Sequence, residues 1–135
     1  MMTRGLMIGA ALTLAACSTT GAARSFDDPV VQKLFTQSTP AYYANLTLAT
    51  QIAQSCARYD YDAALDFQLN EARNEVGRGS LSAIAQRDAI DIESDVAKRS
   101  FQARHGVEVG ANDLCAAGDA ETLEGSALSA LLIPV

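Results

Sequence analysis

Apolar side chains recur along this chain at helical spacing, in segments separated by Gly, Pro and small polar residues. Asp28-Pro29 has the form of an N-cap followed by Pro at the first helical position. It predicts a short helix over 29–37, with Val30, Val31, Leu34 and Phe35 on its apolar side. Thr39-Pro40 repeats the start signal, and Tyr42, Leu46, Ala49, Ala53 and Cys56 follow at helical spacing. A further stretch, 62–76, places Leu65, Leu69, Ala72 and Val76 three and four residues apart. Neither Gly nor Pro separates these two stretches, so one continuous helix over 40–76 and two separate helices both fit. Gly77-Arg78-Gly79-Ser80 is a clear break, and Ser80 is placed to cap a helix over 81–104. The apolar side of that helix is expected to hold Leu81, Ile84, Ala85, Ala89, Ile92, Val96 and Ala103. His105-Gly106 ends it, with Gly suited to a left-handed C-terminal position. Asn112 or Asp113 opens a last helix running to about Leu132, marked by Leu114, Ala117, Glu121, Leu128 and Leu131. No run of strict alternation is long enough to predict a sheet.

These elements predict an all-α fold: a small four-helix bundle, or a three-helix one if 40–76 is a single rod. With 135 residues the chain is sized for one domain, assigned to 29–135. Residues 18–28 (STTGAARSFDD) are small and polar and read as a tether.

The opening segment changes the picture. Arg4 precedes an apolar run from Leu6 to Leu14, followed by Ala15, Ala16 and Cys17. A positive charge, a short apolar core and small residues form a secretory signal, here residues 1–16, and the core is too short to cross a bilayer as a helix. Leu14-Ala15-Ala16-Cys17 resembles a bacterial lipobox. The resemblance implies cleavage before Cys17, diacylation of its sulfur, and usually acylation of the new amino group. Each buried methylene contributes about 0.8 kcal/mol, so two or three chains make a durable anchor where one does not. Ser18, where some lipoproteins carry Asp, points to the outer membrane, with the domain facing the periplasm. Membrane contact is then expected through the lipid on Cys17.

Cys17 apart, Cys56 and Cys115 are the remaining cysteines. An even count in an exported chain reads as a disulfide. Closing so long a loop contributes up to about 4 kcal/mol in the chain-entropy view. In an alternating four-helix arrangement both cysteines fall at the same end, which suits a bridge.

The stretch 46–132 resembles a family of small exported helical proteins of unknown function from alphaproteobacteria. The residues that carry the likeness are Ala53-x-x-Cys56, Gly77 with Ser80, Phe101, Gly106-Val107, Leu114-Cys115-x-x-Gly118-x-x-Glu121 and Leu131-Leu132. The resemblance implies a helical fold with a Cys56–Cys115 bridge and implies no activity.

Candidate chemistry is sparse. The chain has 16 Asp+Glu against 10 Lys+Arg, a net charge of −6, one His and no Trp. An acidic surface of this kind disfavours nucleic acid, which needs clustered cations. A single His argues against a multi-His metal site. His105 reads as a cation near a helix C-terminus, favoured by the dipole. A catalytic histidine needs a nucleophile or an orienting acid, and Ser100 and Glu108 are merely near it in sequence. Asp88, Asp91 and Asp95 form an acidic stripe, read as a solvated face with Arg87–Asp91 and Asp95–Arg99 pairs. Tyr59 and Tyr61 are candidate interaction residues, as is Arg78 in the 77–80 loop. The run Tyr59-Asp60-Tyr61-Asp62 also reads as a helix junction, with Asp60 or Asp62 capping and the rings on the core. Motifs for serine hydrolysis, phosphate binding or zinc are absent from the sequence. No catalytic residue, cofactor or metal is expected. The expected function is a non-enzymatic, outer-membrane-anchored interaction or accessory module with an envelope partner. The alternative is a periplasmic chaperone protective against acid stress.

Overall fold

A computed structural model describes residues 24–135; the signal, Cys17 and most of the tether lie outside the described residues. The fold is helical, with six helices and one two-stranded ribbon. Helix α1, Pro29–Phe35, opens as the sequence predicts, with the Asp28 side chain accepting from the Val30 N–H. Helix α2, Thr39–Ser55, is capped by Ser38, one residue ahead of the expected Thr39. It buries Tyr42, Ala44, Leu48, Ala49 and Ile52 and is the hub of the molecule. It packs most extensively on α5 (Arg87–His105) and also meets α6 (Cys115–Glu124) and the segments Tyr59–Tyr61 and Ala127–Leu131.

The open question of 40–76 resolves into two helices. Cys56 is extended, and Tyr59–Tyr61 forms strand β1. Asp62 caps helix α3, Ala63–Glu75, by accepting from the Leu65 N–H at 2.9 Å. What breaks the rod is a distant pairing. Strand β1 runs antiparallel to β2, Leu132–Pro134, with Asp60 opposite Ile133. The Val135 N–H donates to the Arg58 carbonyl and the Asp62 N–H to the Leu131 carbonyl, extending the ladder at both ends. The expectation of no sheet is therefore corrected: a three-residue ribbon is too short to declare itself by alternation.

Two more expected helices are divided. The segment after the Gly77 break is α4, Ser80–Ala85, then α5, with a turn at Gln86. Ser80 is not the cap. Gly79 occupies that position, and the Asn74 side chain accepts from the Ser80 N–H instead. The last expected helix stops at Glu124, where Gly125 takes a left-handed φ of 61° that side chains with a Cβ resist. Residues Ala127–Leu131 then form a 3₁₀ turn that leads into β2.

The disulfide is present between Cys56 and Cys115, with Cα atoms 5.0 Å apart across a sequence separation of 59. It fastens the end of α2 to the start of α6. Around it the core collects Leu34, Tyr42, Ile52, Leu65, Leu69, Phe101, Leu114 and Leu131. Gly118 in α6 lies so close to the α2–β1 corner that a Cβ there would meet Ile52 Cγ2 at 2.9 Å and Tyr59 Cε2 at 3.0 Å.

Candidate functional site

Three places hold groups capable of chemistry or recognition. The first is a buried acid. Glu121 is fully enclosed, at 0% exposure, and its Oε1 lies 2.6 Å from His105 Nε2 and 2.5 Å from Arg104 Nη2. Its spacing had put it on the apolar side of the last helix, among Leu114, Ala117 and Leu128, and that side does face the core. His105 and Arg104 come from the last turn of α5, so the cluster ties the end of α5 to α6. Phe101, one turn earlier, stacks obliquely on the His105 ring at 4.7 Å. Glu121, rather than Glu108, thus supplies the acid beside the imidazole; Glu108 and the candidate nucleophile Ser100 are both exposed. The second half of a hydrolytic site would be a nucleophile against the imidazole. Among the described residues, none is hydrogen-bonded to His105. Close to Glu121 in sequence, Thr122 Oγ1 and Ser126 Oγ are buried without a hydrogen-bond partner among the described residues, as is Glu121 Oε2.

The second place is the α1–α2–α3 corner. Tyr61 donates to Asp66 Oδ2 at 2.9 Å and Tyr42 reaches Asp66 Oδ1 at 3.4 Å. Burial, and then the charge of Asp66, holds both phenols well above the ordinary tyrosine range. Arg73, only 1% exposed, lies 4.1 Å over the Tyr42 ring and donates to the Phe35 and Gln37 carbonyls at 2.6 and 3.0 Å. Its guanidinium satisfies the open carbonyl at the last residue of α1 and one in the α1–α2 link. Burial lowers its hold on the proton, and an arginine still stays charged. Sequence reading missed Arg73 because its face, by spacing, belonged to Leu65, Leu69 and Val76.

The residues singled out for interaction divide. Tyr59 is buried and donates to Asp119 Oδ1 at 2.7 Å, and burial raises its phenol above the ordinary value. Tyr61 is half-buried in the Asp66 network. Both side chains thus belong to the junction. Arg78 is exposed, with Nη1 3.4 Å from the Thr36 carbonyl. Cys56 and Cys115, with Asp113, form the one cluster of metal-ligand types among the described residues, and the disulfide occupies its two sulfurs.

The third place is the outer side of α4 and α5. Leu81, Ile84, Ile92 and Val96 were expected to face the core and instead stand 83%, 75%, 67% and 48% exposed. The side of α5 that turns inward carries Ile90, Ala97 and Phe101. The acidic stripe Asp88, Asp91 and Asp95 lies exposed beside these residues. The expected Arg87–Asp91 and Asp95–Arg99 pairs do not form. Arg99 donates to the Asp95 backbone carbonyl at 3.3 Å, and among the described residues no Lys or Arg lies within ion-pair distance of the three aspartates. Behind the stripe, a groove of about 340 Å³ runs between α2 and α5, lined by Thr47, Leu48, Gln51, Asp95, Lys98 and Val109.

No family model matches the chain, and neither a characterised protein nor a solved structure is similar to it. Among the described residues no helix is long and apolar enough to cross a membrane.

Proposed function

We propose that the protein is a lipid-anchored, non-enzymatic module of the cell envelope that uses the outer face of α4 and α5 to assemble with a protein partner. The observation that carries this reading is the exposure of Leu81 and Ile84 on α4 and of Ile92 and Val96 on α5. Scattered surface hydrophobics need no explanation, but large apolar residues repeated at helical spacing on the exposed side of a helix mark an interaction site. The disulfide supports a non-reducing compartment. The lipobox at Cys17 supports attachment to the outer membrane, with the domain on the periplasmic side. The Glu121–His105 pair supports a structural role, because it holds two helices together through the acid and leaves no group poised to attack a substrate.

The test is photocrosslinking in living cells. A photoreactive amino acid at Leu81 or Ile84 of the full chain captures a defined protein at neutral pH. The same probe at Asn74, on the other side of the Gly77 break, captures none. Turnover of an envelope substrate by the purified protein would overturn the reading, as would probes on the face that capture nothing. Capture of many unrelated proteins after acid shock, with none at neutral pH, would transfer the assignment to the protective chaperone.

A further inference from the structure

The exposed side of α5 has an order that a general sticky patch does not need. Ala89, Ile92, Val96, Arg99 and Ala103 succeed each other at steps of three, four, three and four, and all five are exposed. That alternation is the 3.5-residue period of a coiled-coil seam. It ends in small residues, with Arg99 as its single charged member. Asp88 and Asp91 lie exposed on one flank of the same face.

The geometry points to a second copy of this chain as the occupant, its α5 lying antiparallel on the first. This rests on the reading of α4–α5 as an assembly face. A two-fold axis midway between Ile92 and Val96 sets Ile92 of each copy against Val96 of the other. The same operation sets Arg99 against Ala89, whose methyl leaves room for the long side chain. A two-fold perpendicular to both helices keeps equivalent residues on the same flank. Arg99 of each copy therefore falls between Asp88 and Asp91 of its mate, giving two symmetric sets of opposite charges at the ends of the apolar centre. Among the described residues of one copy these groups have no ion-pair partner, and Arg99 has only a backbone carbonyl. The seam is thus complementary to itself in size, and in charge at its two ends, while Asp95 of each copy comes near Asp95 of the other at the axis.

The same charges disfavour the other occupants. An anionic leaflet repels a seam flanked by Asp88, Asp91 and Asp95. A helix of 19 residues is about 28 Å long and presents few seam positions, so the pairing is weak in dilute solution. A lipid anchor confines copies to one surface, and that raises their effective concentration.

The experiment is site-specific photocrosslinking from Val96 in the full chain in living cells, with the crosslinked peptides sequenced. The expected product has twice the mass of the chain and joins Val96 to the neighbourhood of Ile92 in a second copy. Asp88→Arg alone and Arg99→Asp alone are each expected to reduce that product about tenfold, because each places like charges together. The double exchange, Asp88→Arg with Arg99→Asp, is expected to restore it. Both residues are exposed and unpaired among the described residues of the single copy, so circular dichroism and thermal melting of all three variants should match the parent. Four results would overturn the proposal: a crosslink to a different protein, a crosslink to lipid, no crosslink at all, or single exchanges that leave the dimer product unchanged. A crosslink to a different protein leaves the assembly reading standing. Capture of nothing from Val96, Leu81 or Ile84 removes both.

Discussion

At the scale of single residues, the most consequential group is Glu121, a carboxylate removed from water and held by two cationic or donor side chains from α5. Removing one partner of a buried polar pair leaves the other to bear its desolvation. Arg104 is half-exposed and can rehydrate, whereas His105 is nearly enclosed, so the loss falls mainly on the imidazole and on the α5–α6 joint. Glu121→Ala is expected to destabilise the fold by about 2–3 kcal/mol, read as a lowered urea midpoint. Arg104→Ala should cost less than half of that. Gly118 tests packing in the opposite sense. Alanine is the better helix former by up to about 1 kcal/mol, yet its Cβ would press on the enclosed Ile52 and Tyr59 side chains. Gly118→Ala is therefore expected to lower the melting temperature, with a net loss of about 1 kcal/mol. A rise in melting temperature would show that the α2–β1 corner gives way easily. Glu121 was legible as a position on the apolar side of its helix, but its partners were not: they lie 16 and 17 residues away, on another helix. Arg73 was not legible at all, since a long cationic side chain normally reads as solvated surface. Its place is set by the open carbonyls at the last residue of α1 and in the α1–α2 link.

At the scale of elements, the boundaries governed by local chemistry were readable and those governed by distant contacts were not. Asp28 with Pro29, Asp62, and the left-handed Gly106 act within one turn of backbone, and each stands where its residue type predicts. Strand β1 exists only because β2, from the other end of the chain, lies beside it. Helix α5 carries apolar residues on two sides, and spacing alone gives no rule for choosing between them. The side with Phe101 and Ala97 goes inward, and the side with Ile92 and Val96 remains outside. The junction that sequence reading left open carries the pH response. Tyr42 on α2 and Tyr61 on β1 share Asp66 of α3, and burial holds both phenols above the ordinary tyrosine value. Below that value, about 10, both tyrosines are neutral folded and unfolded, and they add no slope to stability. Above it the unfolded chain ionises first, so stability falls as pH rises from the unfolded toward the folded value. Urea midpoints measured in alkaline buffers should therefore decline beyond about pH 10. In Tyr42→Phe/Tyr61→Phe that decline should be shallower, with Tyr59 supplying the remainder. An equally steep decline in the double variant would place the titrating groups elsewhere.

At the scale of the whole molecule, the fold is held by closures between its distant parts. The Cys56–Cys115 bridge joins α2 to α6, the β1–β2 ribbon joins residue 60 to residue 133, and Lys33 of α1 donates to the Gly125 carbonyl at 2.8 Å. The bridge and the ribbon both begin just beyond the end of α2, so they restrain overlapping stretches of the unfolded chain. A cross-link acts on that unfolded ensemble, and a separation of 59 residues corresponds to about 4 kcal/mol. This is a large part of the stability of a domain of this size. Cys56→Ser/Cys115→Ser should accordingly lose about 3–4 kcal/mol, seen as a shifted urea midpoint. The paired change is the right one, since a single serine leaves a free thiol able to exchange. Chain retained in a reducing compartment should behave like the double variant, and reoxidation after purification should restore the parental midpoint. If the reduced and bridged forms unfold together, the ribbon and the Glu121 cluster already restrict the unfolded chain as strongly as the bridge. The disulfide would then matter for how the chain reaches the fold rather than for how firmly the fold is held.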